Sequence, residues 1–398
     1  MKRQTTIKQH TPTITKILNC TSICINNGIL TIDKYRIFLL SILTLSISMH
    51  AQAKKPSPLE FHAYATAIYQ HSFDKSIEDD TSLSGDLYTR YLAKNFIVNS
   101  HIEVNSTPKT KGMASVIRQS NADAGTALSK NNQGRLQLSE LYLSLSYEKN
   151  TSFHVGLLNS TVFFDTSLIG NNENTQFIAS DFVNNPVIDF PDYALAGVVE
   201  YQFSATNTTR FMASSTNGLA DNPNRDYSSL FEVNSDNKGI FCILETQWQT
   251  DNTLFETGVW LHNGDHRALD DANNKHLKNY GAYLTAAQSF GKQTVEARAG
   301  IANARVSATK DFVSLAYQIT LSDWTLGTAY GYTEISKYSS MRHDAAQEVE
   351  VYGKHMVGKY FSLTPSVQYF KNPFHNSTVA PSLANEVWAA NLRVNFAF

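Results

Sequence analysis

Cysteine is scarce in this chain of 398 residues, which contains three. Cys20 and Cys24 lie in the N-terminal leader described below, so Cys242 is the single cysteine of the remaining chain. One cysteine excludes an internal disulfide and leaves no thiol cluster for a zinc ion. The remaining chain must therefore fold without covalent cross-links.

Long apolar stretches are equally scarce, and the one sustained run covers residues 37–49. These thirteen residues follow Lys34 and Arg36 and precede Ala51-Gln52-Ala53, whereas a membrane-spanning helix needs about 20 apolar residues. The pattern is typical of a secretory signal peptide that is cleaved after Ala53. We therefore interpret residues 1–53 as leader and signal peptide, with 1–33 indicating a start site assigned too far upstream. Residues 54–398 are predicted to form a single domain.

Basic residues are too few for several classes of function. Removal of residues 1–53 leaves 27 of the 33 basic and 34 of the 35 acidic residues, a net charge of about −7. Nucleic-acid binding and a phosphate-conducting channel both need concentrated Lys and Arg. The composition therefore argues against both.

Catalytic and cofactor motifs are also missing: the chain has no H-E-x-x-H, no G-x-S-x-G, no P-loop and no dinucleotide-binding glycine pattern. His262 and His266 are four residues apart, but they flank Asn263-Gly264-Asp265, which we interpret as a turn, so no metal site is predicted. The Asp/Asn-rich stretch 221–226 lacks the order of an EF-hand loop and is interpreted as a solvated loop, with calcium binding left open. We expect no enzyme activity and no cofactor.

What the sequence does contain is a period-two alternation of apolar and polar residues. Leu141, Leu143 and Leu145 alternate with Glu140, Tyr142 and Ser144, and the same pattern recurs along the chain. Alternation of this kind exposes one strand face to an apolar medium and the other to a polar one. Long polar segments (105–133, 217–228, 264–278) and short ones (148–151, 249–252) separate the strands. The arrangement predicts an all-β, closed antiparallel transmembrane barrel.

The C-terminal strand and the aromatic content favour an outer-membrane barrel over a soluble β-sandwich. The chain has 22 Phe and 19 Tyr, as interfacial girdles require. The last strand carries an apolar row that ends at Phe398, a pattern that resembles the insertion signal read by the barrel assembly machinery. Residues 54–398, at roughly 20 to 22 residues per strand and connection, give about 16 strands. Barrels of that size leave a water-filled lumen.

Four sequence blocks, in order along the chain, carry a resemblance to a known family. They are residues 138–142 (LSELY) followed by 153–157 (FHVGL), residues 182–186 (FVNNP) followed by 190–198 (FPDYALAGV), residues 258–264 (GVWLHNG), and residues 363–373 (LTPSVQYFKNP). Together they resemble the carbohydrate-selective porins. The resemblance implies a passive outer-membrane diffusion channel for sugars and small hydrophilic solutes, without energy coupling.

The side chains on the polar face of each strand are predicted to face the lumen, where they can contact sugars. Aromatic faces stack on sugar rings, and carboxylate, amide and guanidinium groups replace the hydrogen bonds of water. Trp260 is the best candidate for a side chain that stacks on a sugar ring. The predicted pore-lining or substrate-binding residues are Glu140, Tyr142, Glu200, Arg210, Glu256, Trp260, His262, Arg298, Glu350, Gln368 and Arg393.

Several alternatives stay open at this point. A general or anion-selective porin is the second hypothesis within the channel class, and a non-conducting barrel enzyme or adhesin is the second class. The saccharide, the constriction residues, the loop that folds inward and association into a homotrimer are not determined by the sequence.

Overall fold

The computed structural model describes residues 57–234, 238–270, 275–339 and 344–398. The leader 1–53, with its two cysteines and the Ala53 cleavage site, lies outside these residues. Among the described residues, no helix is long and apolar enough to cross a membrane. The strands are β1 (Leu59–Ser72), β2 (Asp80–Leu92), β3 (Phe96–Asn105), β4 (Leu136–Tyr147), β5 (Thr151–Leu158), β6 (Ala194–Gln202), β7 (Asn207–Ser215), β8 (Ile240–Gln249), β9 (Thr253–Arg267), β10 (His276–Phe290), β11 (Gln293–Ala302), β12 (Thr309–Leu321), β13 (Trp324–Ile335), β14 (Ala346–Val357), β15 (Phe361–Lys371) and β16 (Glu386–Ala397).

The sheet closes on itself as an antiparallel barrel in which each strand pairs with its sequence neighbours and β1 pairs with β16. The closing register joins Tyr64 to Ala397, and Phe398 continues it by exchanging two backbone hydrogen bonds of 2.9 and 3.0 Å with Ala63. Closure satisfies the backbone groups that an edge strand would leave unpaired. The predicted fold class and strand number are confirmed.

The alternation in the sequence becomes an inside and an outside of the barrel. On β9, Val259 and Leu261 are 56% and 42% exposed, whereas Glu256 and Trp260, on the opposite face of the strand, are buried. Exposed aromatic residues lie near both ends of the outer face, for example Trp248 at one end and Trp388 at the other. The exposed apolar face matches lipid, and the aromatic residues match the two interfaces.

The connections differ in length at the two ends of the barrel. Short turns of two to four residues, such as 291–292 and 203–206, lie at one end, and the longest connections, 106–135, 159–193 and 216–239, lie at the other. The predicted loop 264–278 is wrong in its bounds: β9 runs to Arg267 and β10 begins at His276. The polar composition misled the prediction, because a hairpin that rises above the membrane no longer needs an apolar face.

Two long connections fold back into the barrel. We call residues 106–135 the short insert and residues 159–193 the long insert. Each contains one short α-helix, α1 (Met113–Val116) and α2 (Ser180–Val183), and one 3-10 turn, Arg118–Ser120 and Ser160–Val162. The Ala122 amide donates to the Ile178 carbonyl at 2.8 Å and joins the two inserts. The largest apolar cluster forms between the long insert and the inner wall, and it includes Phe164, Val187 and Trp260. The barrel core is therefore the contact between insert and wall.

Candidate functional site in the barrel interior

The structure places all eleven sequence-predicted residues on the inner face of the barrel wall, but it gives them different surroundings. Six of them are buried against the inserts, three contact the long insert and also border open cavities, and two contact only neighbouring residues of the wall. The three groups are Glu256, Trp260, Arg298, Glu350, Gln368 and Arg393 in the first, Glu140, Tyr142 and His262 in the second, and Glu200 and Arg210 in the third.

Arg298 on β11 holds the long insert at its centre. Its guanidinium donates to the Asp165 carboxylate at 2.8 Å, and both side chains are at most 2% exposed. The same guanidinium donates to the carbonyls of Asp165 (2.8 Å), Phe182 (3.0 Å) and Val183 (3.3 Å). One buried cation therefore joins the start and the end of the segment 165–183 to the wall.

Three carboxylates on β8, β9 and β11 accept hydrogen bonds from the same stretch of the long insert. Glu245 on β8 accepts from the Asp165 amide at 2.9 Å, and Glu296 on β11 accepts from the Leu168 amide at 2.9 Å. Glu256 on β9, between them, accepts from the Thr166 hydroxyl. The buried carboxylates are thus used to position backbone and hydroxyl groups of the insert.

A second group of wall residues holds the far part of the inserts. Glu350 accepts from the amides of Ile178 (3.1 Å) and Ala179 (2.8 Å), and Arg393 donates to the Gln176 carbonyl at 2.7 Å. Gln368 donates to the Ser120 carbonyl of the short insert at 3.0 Å.

The assignment of a sugar contact to the buried residues needs correction. Side chains that the inserts cover do not line an open lumen, because a solute passing through the barrel cannot reach them. The residues affected are Glu256, Arg298, Glu350, Gln368 and Arg393, each at most 3% exposed. The alternation of apolar and polar residues predicts that these side chains point inward, but only the path of the inserts shows what covers them.

Trp260 is corrected for the same reason. Its indole faces inward, yet it is 3% exposed, and its ring stacks on Phe241 with centroids 6.1 Å apart and an interplanar angle of 23°. Val187 and Ile188 of the long insert belong to the same cluster. The indole therefore packs the insert against the wall and is not available to a sugar ring.

Glu200 and Arg210 form a partly buried ladder that leads to the same anchoring region. Arg210 donates to Glu200 at 2.6 Å and to Glu245 at 3.2 Å. Glu245 also accepts a hydrogen bond from the Asp165 amide of the long insert. Arg210 therefore connects Glu200 to a carboxylate that holds the insert.

The open space lies on the other side of the long insert. A cavity of about 990 Å³ separates the insert from the inner faces of β1 to β4, and Glu140 borders it. The Tyr88 ring stacks on His101 with centroids 4.0 Å apart, and Tyr64 meets Tyr88 edge-on at 6.0 Å. Of the described residues that line the cavity, six carry carboxylates and one, Arg90, a guanidinium.

A second cavity, of about 700 Å³, lies toward the short-turn end and includes Tyr142 in its lining. It shares Tyr88, Arg90, Glu140 and Val162 with the larger cavity. The two spaces therefore border one another at these four residues. Sequence reasoning missed Tyr88 and Arg90, although the polar phase of β2 (Asp86, Tyr88, Arg90) was a usable signal.

His262 lies at a third cavity, of about 210 Å³, near the long-connection end. Its Nδ1 is 2.8 Å from the carboxylate of Asp189, which also accepts from the Asn279 amide at 3.1 Å. Burial alone would raise the pKa of Asp189, but the hydrogen bond and charge of His262 outweigh it and hold the pKa below its usual value. The long insert is thus attached here through a charged hydrogen bond.

The carboxylates of the stretch 221–226 accept hydrogen bonds from backbone amides. Asp221 accepts from the Asp192 amide at 2.8 Å, and Asp226 accepts from the Ser229 amide at 2.9 Å. Both groups are engaged by backbone donors of the protein.

Comparisons with known proteins agree with this architecture. Residues 44–398 match the family model described as carbohydrate-selective porin, OprB family. An uncharacterized protein of Aquifex aeolicus is 24% identical over 311 residues, which cover 76% of this chain and 86% of that protein. The high-pH structure of Pseudomonas putida OprB is similar with a TM-score of 0.64 at 12% identity, covering 85% of this chain and 94% of that one. A mutant of Rh. blastica porin is similar with a TM-score of 0.53 at 13% identity, covering 85% and 100%.

Proposed function

The chain belongs to the carbohydrate-selective porin, OprB family, and from that premise we propose that sugars cross it between the long insert and strands β1 to β4. Membership in the family, together with the barrel fold, makes the protein an outer-membrane channel for sugar diffusion. The family and fold point to a channel rather than an enzyme. The finer proposal concerns the path and the residues that contact the solute.

The observation that carries the path is the pair of adjoining cavities. Tyr88 and Glu140 border both, so a solute moving between them must pass these side chains. The exposed side of a tyrosine ring offers a stacking surface for sugar CH groups, and the carboxylate and amide groups around it accept and donate in place of water. We assign the narrowest contact with sugar to this region.

The charge of the lining bears on the general and anion-selective alternatives. Six carboxyl groups against one guanidinium line the larger cavity, so its lining becomes more negative and disfavours anions more strongly as the pH rises and these groups ionise. The proposal is therefore a channel for neutral sugars that prefers cations over anions among ions.

The test is single-channel conductance in planar bilayers with a series of glucose and maltooligosaccharides. Tyr88→Ala should weaken sugar block about fivefold, which corresponds to roughly 1 kcal/mol for one lost aromatic contact. Tyr280→Ala is the matched control, because this tyrosine is 56% exposed on the outer face and should leave sugar block unchanged. Equal block in wild type and Tyr88→Ala would contradict the proposed path. A reversal potential that favours chloride would contradict the proposed ion preference.

We further propose that the mature chain is a single barrel domain that begins at Lys54, after cleavage at Ala53. Insertion into the bacterial outer membrane would use the barrel assembly machinery, with Phe398 as part of the signal. N-terminal sequencing of protein from isolated outer membranes tests the processing site. Detection of Cys20 in mature protein would contradict this processing site. Chemical cross-linking in membranes tests whether three chains associate as a homotrimer.

A further inference from the structure

Three potential metal ligands converge where the long insert meets the wall near the long-connection end. Asp189 comes from the insert, and His262 and His266 both come from β9; one ligand atom from each lies within 4.8 Å of the others. We propose that these three residues bind a divalent first-row transition ion, of the Zn²⁺ class, which ties the long insert to the barrel wall.

A bulge in β9 brings the two histidines together. In a regular strand, residues four apart would be separated by roughly 13 Å. Here His266 pairs with Leu277 and His262 pairs with Asn279, so four residues of β9 span two of β10. The extra length of Asn263, Gly264 and Asp265 is taken up by the bulge, and the imidazole centroids lie 4.2 Å apart. The interpretation of this stretch as a turn was therefore wrong.

The contacts of His266 indicate a ligand position. Its Nε2 is buried and has no hydrogen-bond partner among the described residues. It lies 3.9 Å from the Asp189 carboxylate oxygen, which is too far for a hydrogen bond. Two ligands of one zinc ion, each about 2.0 to 2.2 Å from it, lie roughly 3 to 3.5 Å apart. A small movement of the imidazole toward Asp189 would meet that spacing.

The surroundings suit an ion with two imidazole ligands and one carboxylate. Asn279 donates to Asp189 at 3.1 Å, as a residue that orients a metal-binding carboxylate would. The cavity of about 210 Å³ next to the three residues has room for water ligands, and Asp221 and Lys238 also line it. Imidazole nitrogen selects Zn²⁺, Ni²⁺, Co²⁺ or Cu²⁺ over Ca²⁺ and Mg²⁺, which prefer oxygen.

The position of the site connects metal binding to the channel. Phe190 and Pro191 follow Asp189 directly, and they line both this cavity and the large cavity of the proposed sugar path. An ion held between the insert and β9 would restrain this wall of the path. Metal binding itself does not depend on the proposed sugar path, so each can fail alone.

The experiment is Zn²⁺ titration of untagged, refolded full-length mature protein in detergent, with Co²⁺ absorption spectra to report imidazole coordination. Wild type should bind one ion per chain, and His266→Ala and Asp189→Asn should each weaken binding at least about a hundredfold. His71→Ala is the matched control, because His71 pairs with Asp79 at 2.7 Å and should not affect binding. Heat-modifiable migration on gels verifies that each variant is folded.

A second control separates this site from the other group with metal-ligand chemistry, Asp86, His101 and Glu103 on β2 and β3. His101→Ala should leave Zn²⁺ binding unchanged. Loss of binding in His101→Ala but not in His266→Ala would overturn the proposal. So would a wild-type protein that binds no Zn²⁺ at about 1 mM, whatever its sugar conductance.

Discussion

Replacement of Arg298 by Met should release the long insert from the barrel wall while the barrel itself stays folded. The change keeps most of the side-chain volume but leaves Asp165, which is fully buried, without its cation. It also removes the donors to the carbonyls of Asp165, Phe182 and Val183. Breaking a buried ion pair by removing one partner costs roughly 3 to 5 kcal/mol.

This loss of free energy should destabilise the docked insert and not the hydrogen bonds between strands, because the four hydrogen bonds of the Arg298 guanidinium all go to the long insert. At about 1.4 kcal/mol per tenfold change, it shifts the balance between inserted and released segment by a factor of roughly 10² to 10³ or more. The released segment would open the lumen, so single-channel conductance should rise and sugar block should fall. Limited proteolysis should cut within residues 159–193, while heat-modifiable migration persists.

Arg305→Met is the control for loss of a charge on the same side of the molecule. Its ion pair with Asp270 joins side chains that are 45% and 26% exposed, and such pairs contribute about 0 to 1 kcal/mol. Asp165→Asn added to Arg298→Met should recover part of the wild-type conductance, because it removes the unpaired charge. Wild-type conductance, sugar block and proteolysis in Arg298→Met would refute the anchoring role.

Three further predictions concern other parts of the barrel. Deletion of Phe398, which closes the β1–β16 register and packs on Tyr360, should lower the amount of heat-modifiable barrel in membranes far more than Phe361→Ala does at the same rim; equal amounts would contradict a signal role. Trp260→Ala should lower the free energy of unfolding in detergent by roughly 3 to 5 kcal/mol, whereas Leu261→Ala on the lipid face should lower it less. The reverse order would mean that the inner and outer faces of β9 are assigned the wrong way round. Burial raises the pKa of Asp181, at the large cavity, to about 6, so cation selectivity in reversal potentials should rise from pH 5 to pH 7 as this carboxyl ionises, and Asp181→Asn should flatten that rise.

The strands and their facing could be predicted because a lipid bilayer imposes one simple rule on every strand. Val259 and Leu261 must be apolar since lipid contacts them, and Glu256 can be charged since lipid does not. The rule repeats at each strand, so local sequence carries it. The family resemblance, which comparison with known proteins confirms, likewise rested on short local blocks.

The path of the inserts could not be predicted, because the contacts that hold them join residues far apart in sequence. Glu350 accepts from Ala179, 171 residues earlier, and Arg393 donates to Gln176, 217 residues earlier. No periodicity links such positions. These charged side chains lie on the inner face of the wall, but their partners, which are backbone groups of a polar loop, left no local signal.

The histidine pair shows a different reason for error. The sequence Asn263-Gly264-Asp265 has turn-forming residues, and a turn would direct His262 and His266 apart. In the structure, the Asn263 side chain accepts from the Ile240 amide of β8 at 2.7 Å, which keeps the bulged stretch of β9 attached to its neighbour. Turn-forming residues also suit a bulge, because both need backbone that departs from the regular ladder. The same local signal thus supports two arrangements with opposite consequences for the imidazoles, and only pairing with β8 and β10 selects between them.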